Sequence, residues 1–177
     1  MLTHRFLALA VLLILACPAI CKDSPHSSKE QLPLDISLTS SSTSPSLDSS
    51  IVLTTRIKNV SDQSLFVYGT LRWGPSSSLF LLITDDNGKS VPMGYFEDAL
   101  PPTPSASDKT LFIKLNPNHF FGVSRSDKLS QLVPKPGVYY FQVVYHGPVP
   151  RRYAAGRPAW GTEDPPVLSN KMRIDVH

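Results

Sequence analysis

Seventeen prolines are spread along the 177 residues of this chain. They leave little room for long helices, because a proline inside a helix removes a hydrogen bond and clashes with the preceding turn. Between the prolines, apolar and polar residues alternate over short runs, which is typical of half-buried β-strands. The pattern predicts strands at 34–38, 51–57, 65–68, 79–84, 111–115, 138–145 and 171–176. About seven short strands predict an all-β fold, an antiparallel β-sandwich.

One short helix and one tight turn are also predicted. The segment from Ser126 to Val133 offers a capped start followed by apolar residues at helical spacing. The run 85–89, Asp-Asp-Asn-Gly-Lys, has the composition of a hairpin turn in which Gly88 adopts a positive φ. Its paired carboxylates also suggest calcium, but the further oxygen ligands and the terminal Glu of a calcium loop do not follow. The turn is therefore the favoured interpretation, and no metal site is predicted.

The first 21 residues have the pattern of an export signal. Arg5 precedes an unbroken apolar run of 11 residues from Phe6 to Ala16. A helix needs about 20 apolar residues to cross a bilayer, so this run predicts a removable signal and not a membrane anchor. The mature protein is therefore expected to be exported.

Two modes of signal cleavage remain open. The sequence Ile14-Leu15-Ala16-Cys17 is similar to the lipobox of bacterial lipoproteins. That resemblance implies a lipid on Cys17 and a stable attachment to the membrane by the lipid alone. The alternative is ordinary cleavage after Ala19 or Cys21, which leaves no lipid. The expected location is accordingly the periplasm, or the outer membrane or cell surface as a lipoprotein, and otherwise the secreted fraction.

The rest of the chain predicts a tether and one domain. Residues 22–33 are polar and contain too few apolar side chains to fold, so they are predicted to be flexible. Residues 34–177 are enough for one domain with a substantial core. Both cysteines, Cys17 and Cys21, precede this domain, which therefore has neither a disulfide nor thiol chemistry. Removal of Arg5 with the signal lowers the net charge from +3 to +2, which argues against a nucleic-acid-binding protein.

The segment 136–141, Pro-Gly-Val-Tyr-Tyr-Phe, is the most specific marker of the kind of sandwich. In immunoglobulin-like domains a tyrosine near the start of the penultimate strand hydrogen-bonds back to the preceding turn, and Tyr139 has that position. Asn59-Val60-Ser61 ends the second predicted strand, and Ser169-Asn170 opens the last. With these motifs, residues 34–177 resemble exported bacterial domains with an immunoglobulin or fibronectin type III-like fold. The resemblance implies architecture and not activity.

The connection from His146 to Leu168, between the last two predicted strands, is the unusual part of the chain. Hairpin loops have about 2 to 5 residues, and much longer loops are usually functional or disordered. This one combines aromatic and arginine side chains with prolines, which restrict the backbone as binding loops require. The predicted partner-binding residues are Arg151, Arg152, Tyr153, Arg157 and Trp160. The alternative is that Trp160 and Tyr153 fold back over an open sheet edge while the arginines stay solvated.

Two other classes of binding protein fit parts of the sequence. The segment 156–160, Gly-Arg-Pro-Ala-Trp, is similar to the Arg-Pro-Trp loop of chagasin-like cysteine-protease inhibitors, which are also immunoglobulin-like. The resemblance implies a protease inhibitor, although an alanine interrupts the motif and that family's Asn-Pro-Thr-Thr-Gly and Gly-x-Gly-Gly loops are absent from the sequence. A carbohydrate-binding module would instead stack Trp73 or Trp160 on a sugar ring. Trp73, Phe120 and Phe121 are interpreted first as core residues.

Short catalytic motifs are absent from the sequence. It has no Gly-x-Ser-x-Gly elbow, no His-Glu-x-x-His pair and no Gly-rich phosphate loop. We therefore expect no enzyme activity, no catalytic residue and no cofactor. The sequence predicts a non-catalytic binding or structural module of the cell envelope, which recognises a protein or peptide partner through long loops. A protease inhibitor and a carbohydrate-binding module are the alternatives.

Overall fold

Alternating burial of side chains along the strands produces two sheets that face each other. The computed structural model describes residues 32–74, 77–92 and 111–177. Every second residue is buried over most of β1 (Leu34–Ser40) and β2 (Ser50–Asn59), which pair with each other. The same pattern holds in β4 (Leu79–Asp85) and β7 (Gly137–Tyr145), which also pair. The buried faces of both pairs belong to one hydrophobic cluster, so the core lies between the two sheets.

The strand order is that of an immunoglobulin-like domain. The first sheet has the order β1-β2-β6, where β6 is Phe120–Lys128. In the second sheet β7 pairs with β4 along one edge and with β8 (Val167–Leu168) and β9 (Met172–Val176) along the other. A separate antiparallel pair is formed by β3 (Leu65–Tyr68) and β5 (Phe112–Leu115). The described residues thus form an all-β, immunoglobulin-like antiparallel sandwich of nine strands.

All seven predicted strands are present, and the structure adds two more, β6 and β8. The last predicted strand lies in β9, and the short β8 precedes it. The strand β6 contains no fully buried residue, because exposed and half-buried side chains alternate along it. It therefore lacks the apolar alternation from which the other strands were predicted.

The short turn of helix predicted within 126–133 is present as α1, which comprises Leu129–Leu132. Its predicted capped start is wrong, because residues 126–128 belong to β6. The residue before α1 is Lys128, which makes no side-chain capping bond. The three apolar residues of the predicted segment, Leu129, Leu132 and Val133, are all buried in the core.

Three aromatic residues were predicted to lie in the core, and one of them does not. The side chain of Phe120 is 61% exposed, so the prediction for it is wrong. Phe120 is the first residue of β6 and points to the solvent side of the sheet, where the guanidinium of Arg56 lies 5.2 Å from its ring centroid. Phe121 and Trp73 are partly buried and pack against the core, as predicted.

The predicted tyrosine corner is confirmed. The hydroxyl of Tyr139 donates a hydrogen bond of 2.9 Å to the backbone carbonyl of Lys135. The ring is buried, and burial is the main cause of a raised pKa of this tyrosine, with the charge of Asp85 second. Phe141 is fully buried, at the position where an antibody domain carries a disulfide cysteine.

The two other motifs of the resemblance hold strand ends together. Asn59 is fully buried, and its amide nitrogen donates to the carbonyls of Gln63, at 2.7 Å, and Leu115, at 2.9 Å. The backbone N–H of Leu38 donates to Oδ1 of Asn170 at 2.8 Å, and Nδ2 of Asn170 donates to the carbonyl of Leu38 at 3.1 Å. Asn59 therefore ties β2 to β5, and Asn170 ties β1 to the segment between β8 and β9.

Residues Leu32–His177 form one compact unit. The predicted signal peptide 1–21, the proposed lipidation site Cys17 and most of the predicted tether 22–33 lie outside the described residues. Export, lipidation and the tether therefore stay predictions. Within the described ranges, no helix is long and apolar enough to cross a membrane.

Candidate functional site

The 146–168 connection is a packed structure and not an open loop. It contains a 3₁₀ helix at Arg151–Ala154, which is followed by Ala155 and Gly156 with φ values of 53° and 77°. These two residues in the left-handed region reverse the chain. Its apolar side chains form a second hydrophobic cluster with β3 and β5. The buried members of that cluster are Tyr68, Phe112, Val149, Ala154 and Ala159.

Two glycines bring the beginning and the end of the connection into backbone contact. A Cβ atom added to Gly147 would lie 2.5 Å from the carbonyl carbon of Gly161. A Cβ atom added to Gly161 would lie 2.6 Å from the backbone nitrogen of Arg151. Both distances are far below van der Waals contact, so these positions require glycine because of the close approach.

Acidic residues late in the connection hold its earlier part. The guanidinium of Arg151 makes a bidentate ion pair with Asp164, in which Nε lies 2.8 Å from Oδ2. The backbone N–H of Arg151 donates to the carboxylate of Glu163 at 3.0 Å, and the N–H of Gly161 donates to Asp164 at 2.7 Å. The guanidinium is half-exposed, so the pair contributes no more than about 1 kcal/mol to stability. Its main effect is on the geometry of the connection.

Hydrogen bonding and burial shift the pKa values of three groups in or beside the connection. The hydrogen bond to Asp164 raises the pKa of Arg151, and the hydrogen bond from the N–H of Arg151 lowers the pKa of Glu163. Burial, and secondly the charge of Asp164, raise the pKa of Tyr145 at the end of β7. With these directions of shift, Arg151 and Glu163 stay charged and Tyr145 stays neutral at neutral pH.

Arg157 is fixed above two aromatic rings. Its Nε donates a hydrogen bond of 2.7 Å to the carbonyl of Ala154. Its guanidinium carbon lies 4.8 Å from the ring centroid of Phe66 and 5.8 Å from that of Phe112. This is cation–π geometry, which holds the charge in one place at the surface of the second cluster.

The segment 158–160 covers an edge of β3. The N–H of Phe66 donates to the carbonyl of Pro158 at 2.8 Å, and the N–H of Trp160 donates to the carbonyl of Phe66 at 2.9 Å. These bonds form a parallel bridge between Phe66 and Ala159. Trp160 is only 3% exposed and belongs to the main core. Its position is the one that the edge-covering alternative describes, and its indole is not presented to solvent.

A groove of about 360 Å³ lies beside the connection, and we call it the connection groove. Three of the five predicted partner-binding residues line it, namely Arg151, Arg157 and Trp160. The other two, Arg152 and Tyr153, lie beside each other on the 3₁₀ helix, where the guanidinium of Arg152 is 5.1 Å from the tyrosine ring centroid. The residues that complete the lining are Pro33, Leu65, Pro158, Ala159 and Asp164.

The sequence did not indicate that these five other residues line the groove. Pro33 and Leu65 precede or begin strands that are distant in sequence from the connection, and they reach the groove only because segment 158–160 pairs with β3. Asp164 offered one local signal, since it is an acidic residue in a connection that also carries three arginines. That signal predicts an ion pair but not which arginine takes part in it.

A second depression of about 310 Å³ lies at the turn that follows β4. This turn is confirmed: Oδ1 of Asp85 accepts hydrogen bonds from the N–H groups of Asn87, at 3.0 Å, and Lys89, at 2.9 Å. Gly88 has a φ of 77°, as predicted. The carboxylate of Asp85 thus stabilises its own turn. In the part of the chain that the structure describes, no three His, Cys, Asp or Glu side chains are grouped to hold a metal ion.

Comparisons with known proteins add little to this geometry. No protein-family model and no curated protein matches the sequence. Similar solved structures include the β-glucosidase EmGH1 from Erythrobacter marinus, with 13% identity and a TM-score of 0.41 over 81% of this chain and 15% of that chain. A β-glucosidase from Listeria innocua has 15% identity and a TM-score of 0.38 over 81% of this chain and 16% of that one.

The CARDB domain of the PF1109 protein from Pyrococcus furiosus is also similar. It has 9% identity and a TM-score of 0.38 over 81% of this chain and 91% of that domain. The chain spans about one sixth of the length of the two glucosidases. At such identities and TM-scores, these similarities carry no argument about what the protein binds or catalyses.

Proposed function

We propose that this protein is a non-catalytic binding module of the bacterial cell envelope, and that it recognises a protein or peptide partner with its 146–168 connection. The observation that supports the proposal best is the order of this connection. Backbone contact between Gly147 and Gly161, the pairing of Arg151 with Asp164 and the stacking of Arg157 all fix it before any partner arrives. A surface that is already ordered loses less conformational entropy on binding.

The arginines distinguish a binding surface from a mere cover of the sheet edge. Covering β3 requires the backbone of segment 158–160 and the indole of Trp160. It does not require Arg152, whose side chain is exposed and stacked on Tyr153 at the surface. Ordered arginine and tyrosine side chains are the types that most often dominate the energy of protein interfaces.

The two alternative functions find no support in the position of Trp160. An inhibitor loop of the Arg-Pro-Trp kind and a sugar-stacking platform both need an accessible indole. Trp160 is buried in the core, and Trp73 is half-buried beneath the guanidinium of Arg125, at 5.1 Å from its ring. Protein or peptide recognition by the surrounding side chains remains the better proposal.

The proposed location follows from the signal-like N-terminus. The full chain is exported and then either held at the membrane by a lipid on Cys17 or released without one. Intact-mass measurement of the mature protein from membrane and soluble fractions separates the two cases. A first residue Cys17 that carries acyl chains supports the lipoprotein, and an unmodified chain that begins near Lys22 supports the released form.

Two matched arginines allow a direct test of the binding surface. Arg152 and Arg56 are both exposed, and each lies about 5 Å from an aromatic ring centroid, on Tyr153 and on Phe120. We would place a photo-crosslinking amino acid at 152 or at 56 in the full-length chain, in cells that export it. We expect a crosslinked protein from position 152 only, which mass spectrometry then identifies.

Affinities measured with that purified partner complete the test. Arg152→Ala and Arg157→Ala are expected to weaken binding about tenfold or more, the range of an interface hot spot. Arg56→Ala is expected to bind like the wild type. Equal crosslinking at 152 and 56, or equal affinities of all three variants, would refute the proposed surface.

A further inference from the structure

We propose that the outer edge of β6 pairs with the same edge of β6 in a second copy of this chain, and so forms a two-fold symmetric dimer. The two copies would join their first sheets into one continuous sheet with the order β1-β2-β6-β6-β2-β1. This inference goes beyond the proposed function and does not rest on it, because no residue of β6 lines the connection groove.

One edge of β6 faces away from β2. The N–H of Asn59 donates to the carbonyl of His119, and the N–H of Leu129 donates to the carbonyl of Ser49, both at 3.0 Å. These pairs continue the register of β2 and β6, in which odd-numbered residues lie opposite odd-numbered ones. Bonded and non-bonded pairs alternate in an antiparallel ladder. The even-numbered residues of β6 therefore direct their N–H and C=O groups outward.

The outward groups of β6 are accessible. Gly122 is exposed and has no side chain, so its exposure is that of the backbone itself. Four successive outward positions are exposed, and no backbone hydrogen bond between described residues involves them, namely Phe120, Gly122, Ser124 and Ser126. Another strand can therefore reach their N–H and C=O groups from solvent.

Other strand edges of the sandwich are covered by the chain itself. The side-chain amide of Asn170 bonds to both backbone groups of Leu38 in β1. The N–H of Asp175 in β9 donates to the carbonyl of Thr43 at 2.8 Å. Segment 158–160 covers β3 in the same way. Folded proteins rarely leave a long strand edge open, so the uncovered edge of β6 indicates a partner strand from outside the chain.

The strand β6 also lacks the features that protect a free edge from pairing. It keeps one register with β2 over its nine residues, so it contains no bulge, and it contains none of the 17 prolines. Its charged residues on the core side, Arg125 and Asp127, form a bidentate ion pair. A neighbouring strand would therefore cover charges that are already balanced, which costs less than covering a single charge.

The sequence of β6 is complementary to itself around Ser124. In an antiparallel pairing centred on this residue, the whole strand overlaps and Gly122 lies opposite Ser126. Phe120, which is 61% exposed, lies opposite Lys128, whose aliphatic stem can cover the ring. No like charges lie opposite each other in this register. A second copy thus fits the edge over its full length, and closed two-fold dimers are the commonest oligomers.

Hydrogen exchange followed by NMR tests pairing through the backbone of the mature chain that begins at Lys22. The amides of Val123 and Arg125 face β2 and should be protected at every protein concentration. The amides of Gly122 and Ser124 should exchange rapidly in dilute samples. At a concentration where analytical ultracentrifugation gives the mass of two chains, these two amides should exchange about tenfold more slowly.

Matched lysine variants test the register. Ser124 and Thr39 are exposed and lie in one row across the sheet, on either side of Thr54. Ser124→Lys places two like charges opposite each other at the two-fold axis and should weaken dimerisation about fivefold. Thr39→Lys adds the same charge at the far edge of the sheet and should dimerise like the wild type. An equimolar mixture of Ser124→Lys and Ser124→Glu should recover the dimer, because opposite charges then face each other.

Several results would overturn the proposed dimer. They are the mass of one chain at every concentration, outward amides that are protected in the monomer, equal weakening by Ser124→Lys and Thr39→Lys, and a mixture that dimerises no better than either variant alone. The second result would mean that the chain itself covers this edge.

A photo-crosslinking amino acid at position 124, in cells that export the chain, identifies the partner strand. We expect it to capture a second copy, and capture of a different protein would assign the edge to that protein and overturn the dimer. A product of two copies differs in mass from the partner captured at position 152. The dimer and the proposed function can therefore fail separately.

Discussion

The strand β7 begins and ends in structures that arise in different ways. At its start, Tyr139 bonds to Lys135, four residues earlier, so one short segment makes the whole corner. At its end, the 146–168 connection is held by a bridge to Phe66 and by the pairing of Arg151 with Asp164. The corner depends on local sequence, whereas the connection depends on contacts between distant segments. The candidate binding surface therefore exists only when the rest of the sandwich has folded.

Among the variants that test this difference, Trp160→Ala should have the largest effect on stability. The indole is buried in the main core and anchors the connection, so its loss should lower the free energy of unfolding by about 4 kcal/mol. Urea denaturation followed by circular dichroism measures the change. Tyr153→Ala, at a half-buried position of the same connection, should cost clearly less. A loss below 1 kcal/mol for Trp160→Ala would show that the connection is not anchored in the core.

Gly147→Ala tests the backbone contact within the connection. The added Cβ would lie 2.5 Å from the carbonyl carbon of Gly161, so backbone must move, and we expect a loss of about 3 kcal/mol. Gly156→Ala is the matched control in the same connection. Nothing lies within 4 Å of its added Cβ, and only the positive φ of 77° opposes alanine, at a cost of about 1 kcal/mol. Equal thermal stabilities of the two variants would contradict the close contact.

The fold was largely predictable because one face of most strands is buried. Alternation then appears directly in the sequence, as in β2 and β7. The strand β6 was not predicted because it buries no residue completely, although it pairs with β2. Its serines and its ion pair between Arg125 and Asp127 are compatible with a strand but do not indicate one.

The candidate site was predictable only in part. The length and composition of the connection indicated Arg151, Arg157 and Trp160, and the structure brings these three to one groove. The sequence could not predict that Leu65 lines the groove or that Ala159 bridges to Phe66, because both depend on which strand the connection covers. It also could not decide between burial and exposure for Trp160, since an indole suits a core and an interface equally.

Tyr139→Phe tests the tyrosine corner at the start of β7, and its effect on stability should be smaller. The variant loses one hydrogen bond, to the carbonyl of Lys135, and we expect about 1 kcal/mol less stability. Tyr140→Phe, at the half-buried next position, should change stability little. The connection and its affinity for a partner should be unaffected by Tyr139→Phe, and a loss of binding in this variant would show that the two ends of β7 are coupled.

The same variant should alter stability at alkaline pH. The pKa of Tyr139 is raised in the folded protein, so its contribution to stability is complete below the unfolded pKa of about 10 and is lost as the pH rises through the folded value. Tyr139→Phe removes this contribution, whereas the part that comes from the buried Tyr145 remains. Denaturant unfolding at a series of pH values above 9 measures the difference. An identical alkaline loss in wild type and variant would contradict the raised pKa of Tyr139.

The smallest expected effect is the loss of a hydrogen bond at acid pH, and only the connection at the end of β7 should show it. The N–H of Arg151 lowers the pKa of Glu163 in the folded protein. The contribution of this bond is therefore present above the unfolded pKa of about 4.3 and is lost as the pH falls through the lower folded value. NMR titration of Glu163 and the protection factor of the Arg151 amide between pH 5 and 2.5 measure it. In Glu163→Gln the side-chain oxygen accepts the same bond at every pH, so the Arg151 protection should no longer follow this titration. A wild-type Glu163 that titrates at or above its ordinary pKa would contradict the hydrogen bond from the N–H of Arg151. The bond from Tyr139 to Lys135 involves no carboxylate and should persist through this titration.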